Sequence, residues 1–124
     1  MSNIHNYERT FDRYIERVST SEEISPKNKS LILGFKDHLL SIGIGFAKIN
    51  RYLGDLIKLN RMLKKDFDTA TKLDIKAVVS EINQGSLSAE TKRCFRIMLR
   101  KFYCYLRGYE EKGFYPEEVK WMKR

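Results

Sequence analysis

Lys92, Arg96 and Arg100 recur every four residues, and Arg93 stands beside the first of them. On an α-helix this spacing puts the three along one flank. Phe95, Met98, Phe102 and Tyr105 take the opposite side and are expected in the core. A helix divided in this way is fixed to the protein by one side and offers ammonium and guanidinium groups to phosphates and guanine edges on the other. Ser88 and Thr91 open the same run, where hydroxyls and free backbone N–H groups also suit phosphate. A looser set lies upstream: Lys48, Arg51 and Lys58 share a flank that Asp55 interrupts, with Tyr52 beside them. The chemistry on offer is recognition of a polyanion. Its candidate contacts are Lys48, Arg51, Tyr52, Lys58, Thr91, Lys92, Arg93, Arg96 and Arg100.

The distribution of charge sharpens this. The chain of 124 residues carries 24 Lys and Arg against 16 Asp and Glu, a net charge of +8. The first 44 residues contribute none of it, because six bases there meet six acids. Residues 45–65 hold six bases against Asp55 alone, and residues 88–108 hold six against Glu90 alone, an excess of +5 each. The stretch between them is −2 and the tail from Tyr109 is neutral. Two segments of equal excess in an otherwise balanced chain favour a binding surface over a basic face kept for solubility, and the partner expected is double-stranded DNA. On that reading the two basic helices emerge side by side on one wall of the fold.

Other chemistry is poorly supplied. His5 and His38 are the only histidines, and neither an HExxH motif nor a Cys/His metal spacing occurs. Gly43 and Gly45 flank a helix junction, with no GK[ST] phosphate loop after them. The acids Glu8, Asp12 and Glu16 alternate with Arg9, Arg13 and Arg17, the pattern of a solvated helix face. The expectation is therefore no enzymatic activity of the chain's own, no metal and no cofactor. Cys94 and Cys104 on one helix would stand about 15 Å apart along its axis, too far for a disulfide. No apolar run is long enough to span a membrane. The basic helices commit their apolar faces to a core, which leaves none for a lipid surface. With no secretion signal at the N-terminus, the cytoplasm is the expected compartment.

The elements that must position these residues are helical throughout, since apolar residues recur at helical spacing and never alternate in strand fashion for long. A first helix starts after Asn6, with Tyr7, Phe11, Tyr14, Ile15 and Val18 on one stripe, and Ser19–Glu23 follows as a loop. Ser25 caps a second helix, Pro26 takes its first position and Gly43 closes it. A third runs from about Phe46 to Leu63 with Phe46, Ile49, Leu53, Leu56, Ile57 and Leu63 inward. Thr71 caps a fourth that ends at Gly85, and Ser88 caps a fifth that stops near Gly108. The remaining GFYPEEVKWMKR has room for one turn after Pro116 and reads as a linker with an exposed Trp121. The fold class expected is all-α, a compact bundle of four main helices plus an N-terminal one.

The run SLSAETKRCFRIMLRKFYCYLRG (86–108) resembles the last helix of the core-binding domain of tyrosine recombinases, the phage-integrase family. The hydroxyl-bearing cap, the basic face and the "R-x-F-x-x-Y-L" ending, here Arg100, Phe102, Tyr105 and Leu106, carry the likeness. The upstream GIGFAKINRYLGDLIKLNRML is similar to that family's Ser-x-x-Thr helix, although Gly45 and Lys48 stand at the Ser and Thr positions. LILGFKDHLLSIG, the "T-x-x-D-I" of Thr71, Asp74 and Ile75, and the YPEEVKWMKR tail extend the resemblance over residues 25–124. It implies a SAM-like helical domain forming half of a clamp around duplex DNA, with the helices matching 46–63 and 88–107 on the major groove of a core recombination site. The nucleophilic tyrosine would belong to a separate catalytic domain, so none of the tyrosines here is expected in that role. The implied organisation is an N-terminal helix and loop at 1–24, a core-binding domain at 25–108, and a linker toward a catalytic domain at 109–124. Protomer contacts on DNA through the N-terminal helix or the tail are also implied. The other reading of the basic faces is a helical protein-interaction module that meets an acidic partner or a second copy of itself.

Overall fold

In a computed structural model, which describes residues 3–122, all regular structure is helical. The helices are α1 (Asn3–Thr20), α2 (Pro26–Ser41), α3 (Phe46–Leu63), α4 (Lys72–Gln84), α5 (Ala89–Arg107) and α6 (Glu117–Lys120), with one 3-10 turn at Phe67–Thr69. The all-α expectation holds, and there is no strand among the described residues. No helix among them is long and apolar enough to cross a membrane. The chain divides into two compact units, and the boundary falls inside α3, between Arg61 and Met62. α1 belongs with α2 in the first unit, and the tail belongs with α4 and α5 in the second.

In the first unit, Ser25 caps α2 by accepting from the Asn28 N–H at 3.1 Å, with Pro26 in the first turn. The helix ends where Gly43 turns left-handed at φ +85°; its N–H donates to the Leu40 carbonyl and that of Ile44 to the Leu39 carbonyl. Only glycine enters that conformation without a Cβ penalty. Val18, Ile32, Phe35, Leu39, Ile49, Leu53 and Leu56 form the core. Two buried asparagines form a chain of hydrogen bonds: Asn28 Nδ2 donates to Asn60 Oδ1 at 2.9 Å, and Asn60 Nδ2 donates to the Glu23 carbonyl at 3.3 Å. Gly54 on α3 lets α1 come close, since a Cβ there would stand 3.0 Å from the Tyr14 hydroxyl.

The second unit is built on a cluster of aromatic rings. Phe67 and Phe102 meet edge to face at 5.2 Å, and Phe102 meets Tyr103 at 5.4 Å. All three rings are buried, and each contributes about 1.5–3 kcal/mol by leaving water. The Tyr103 hydroxyl donates to the Phe67 carbonyl at 2.9 Å, which ties α5 to the 3-10 turn. Burial pushes that hydroxyl's pKa well up. Thr71 and Asp74 form a reciprocal capping box at the start of α4. The Thr71 backbone N–H, and then Lys65 at 2.9 Å, hold the Asp74 carboxyl below its usual range. Ser88 caps α5, and Gly108 closes it at φ +76°.

The tail is packed rather than extended. Val119 and Met122 are buried, and α6 contacts both α4 and α5. Trp121, expected in solvent, is half-buried: its indole N–H donates to the Glu118 carbonyl at 2.6 Å, and Lys76 stands over its ring at 5.3 Å. Arg107 fixes the segment further by pairing with Glu118 at 2.7 Å and donating to the Asp68 carbonyl at 2.8 Å.

Candidate functional site

On α3 the apolar side chains set the orientation. Ile49, Leu53, Leu56, Ile57, Leu59 and Leu63 are all buried and cover about half of the helix circumference. Lys48, Arg51, Asp55 and Lys58 therefore share the outer side, with Lys48 and Arg51 exposed and Asp55 and Lys58 half-buried. Tyr52 is not with them. It is 3% exposed and its ring lies 6.1 Å from Phe35, so it is a core residue and not a surface contact. It stands three residues after Ile49 and four before Leu56, the spacing that keeps it on the buried face.

Asp55 gives this basic face an unusual member. Burial pushes its carboxyl up from the ordinary 3.8 to about 6, against the opposing pull of Lys58 and then Arg51. Its Oδ2 is buried and finds no hydrogen-bond partner among the described residues. A negative charge desolvated without a partner is costly, and protonation relieves it. The face thus carries three cations and one carboxyl that titrates not far below neutrality.

On α5 the buried side consists of Phe95, Met98, Leu99, Phe102 and Tyr103. Tyr105, expected inward, is half-buried, and Tyr103 takes the inward position. The flank of Lys92, Arg96 and Arg100 lies at the margin of this core, and all three are half-buried. Each has a neutral acceptor from the protein. Lys92 Nζ donates to the Asn83 carbonyl at 2.8 Å, Arg96 Nη1 to Asn83 Oδ1 at 3.0 Å, and Arg100 Nη2 to the Met122 carbonyl at 3.2 Å. The Arg100 guanidinium also lies 5.9 Å from the centre of the Tyr115 ring. For Lys92 and Arg96 the carbonyl and amide oxygens orient the cations without neutralising them.

Arg93 projects outward and pairs with Glu90 at 3.5 Å, but with side chains 63% and 71% exposed the pair is well screened. Thr91 is exposed, and its hydroxyl accepts from the Ser88 hydroxyl at 2.9 Å beside the helix cap. Lys101, absent from the candidate contacts, is exposed on the same outer side as Arg93. Its place eight residues after Arg93, a little over two turns, was the available signal. Arg51 lies in the first compact unit and Arg96 in the second.

Neither cysteine is in a disulfide; both are half-buried on α5, and burial raises the pKa of Cys104. Among the described residues no group of three or more His, Cys, Asp or Glu side chains is placed to hold a metal ion. No family model, curated protein or solved structure matches the chain.

Proposed function

We propose that this chain binds double-stranded DNA through Lys48, Arg51 and Lys58 on α3 and Lys92, Arg93, Arg96 and Arg100 on α5. Thr91 supplies a hydroxyl at the start of the second set. In this reading the chain acts as the core-binding helical domain of a tyrosine recombinase, gripping a recombination site for integration or excision. The proposal assigns no bond-breaking step to these residues.

The observation that carries it is the confinement of the whole net positive charge to two stretches, each +5. Each stretch forms a helix whose other side is buried. Phosphate contacts by such groups release condensed counterions, so affinity falls steeply with salt. The neutral acceptors of Lys92 and Arg96 support the reading too, because they leave both side chains uncompensated.

The test is the dissociation constant for a duplex of about 30 base pairs, measured from about 50 to 200 mM salt. With about six phosphates contacted, the log–log slope of the association constant is roughly −5. An affinity that does not change over this range refutes DNA binding by these two helices.

A further inference from the structure

We propose that Asn83 is a positioning residue that sets the cations of α5 in place for a phosphate backbone, an inference resting on the DNA-binding reading above. Asn83 is the penultimate residue of α4, and its two oxygens serve two different cations. The backbone carbonyl accepts from Lys92 at 2.8 Å, and the side-chain oxygen accepts from Arg96 at 3.0 Å. The carbonyls of a last helical turn lack partners within their own helix and form its negative pole. A lysine from the neighbouring helix is well suited to that position. The amide oxygen, projecting from the same residue, then receives the guanidinium one turn further along α5.

Two features make this more than a packing contact. Both acceptors are neutral, so the pair retains its full double positive charge. The donors are also only partly used: Lys92 commits one of its three N–H groups to Asn83 and Arg96 commits one of its five. Long cationic side chains lose rotamer freedom when they bind a phosphate. Side chains ordered beforehand lose less. For one such side chain the difference corresponds to roughly three- to ten-fold in affinity. Asn83 itself is exposed, at the end of a helix. Alanine there favours the helix, so removal of the amide leaves the fold intact.

The experiment uses the full chain in four forms: parent, Asn83→Ala, Arg96→Ala and the double variant. Duplex affinity is read by fluorescence anisotropy, with salt slopes and melting temperatures alongside. Asn83→Ala keeps the backbone carbonyl that holds Lys92 and removes only the acceptor for Arg96. It is expected to weaken binding roughly three- to ten-fold with an unchanged salt slope, because the same number of phosphates is contacted. Arg96→Ala is expected to lower the slope by about 0.9. In the Arg96→Ala background, loss of the Asn83 amide is expected to have no further effect. An equal loss in both backgrounds would mean that Asn83 merely finishes α4, and the inference falls. If the parent binds duplex and Asn83→Ala binds as tightly, the inference also falls while the DNA-binding reading stands. If the parent fails to bind duplex at any salt concentration, both fall together.

Discussion

Replacing Asp55 by Asn separates the two properties of the α3 face, its stability and its charge. The carboxyl is raised from 3.8 to about 6, chiefly by burial. The folded state therefore binds a proton more readily than the unfolded state, and the stabilisation from that proton is fully present below about 3.8. It is lost as the pH rises through about 6. At pH 7.5 the ionised group is a burden on the fold of at most about 3 kcal/mol. The side chain is only partly buried, and screening reduces this to about 1–2 kcal/mol. Asn has nearly the same shape and no charge, so Asp55→Asn is expected to be more stable than the parent by about 1–2 kcal/mol at pH 7.5. The difference should shrink toward zero at pH 4, as read from urea denaturation across that range. The same substitution removes a negative charge flanked by Arg51 and Lys58. A phosphate seated on either cation would be spared a repulsion of about 0.5–1 kcal/mol in water, so duplex affinity at low salt is expected to rise about two- to five-fold. For the parent, the corresponding gain appears as the pH is lowered through about 6. Parallel stability profiles for the two proteins between pH 4 and 8 would refute the desolvation of Asp55. An unchanged duplex affinity would show that phosphate does not approach this face.

The remaining predictions concern residues whose roles differ from their appearance in the sequence. Tyr52→Phe is expected to leave duplex affinity within about two-fold, whereas Tyr52→Ala costs about 3–5 kcal/mol of stability; a large loss of binding in a well-folded Tyr52→Phe protein would return Tyr52 to the DNA-contacting set. Lys64 follows α3 at φ 59°, the left-handed region, without being glycine. Lys64→Gly should therefore stabilise the fold by about 0.5–1 kcal/mol, and destabilisation in urea would show that this backbone is not strained. Arg96→Glu is expected to weaken duplex binding far more than Arg13→Glu, because Arg13 lies exposed on the charge-balanced α1; equal losses would mean that binding follows net charge alone.

The helices themselves were legible because their signals are local. Ser25, Thr71 and Ser88 cap through contacts three residues away, and Gly43 and Gly108 close helices by their own backbone freedom. The charge segregation was legible for the same reason, since it needs only a count along the chain. Tyr52 was misplaced because its residue type, a tyrosine among cations, outweighed its register, although the register with Ile49 and Leu56 was present in the sequence. The exchange of Tyr105 for Tyr103 is a different matter. Tyr103 is inward because its hydroxyl reaches the carbonyl of Phe67, 36 residues earlier, in a 3-10 turn that carries no helical periodicity. The tail resembles a linker in composition, and only the burial of Val119 and the bonds from Arg100 and Arg107 make it part of the second unit. The α5 cations follow the same logic. Their spacing predicts a flank, but whether the flank is open water or a set of seated groups depends on Asn83 and Met122, 9 to 22 residues distant. A cation count thus bounds how strongly such a helix can respond to salt, while the neutral acceptors beside it decide how much ordering remains to be done when phosphate arrives. Substitutions at the cations should move the salt slope. Substitutions at the acceptors should move affinity at constant slope, and that separation is what distinguishes a built polyanion site from a surface that is merely basic.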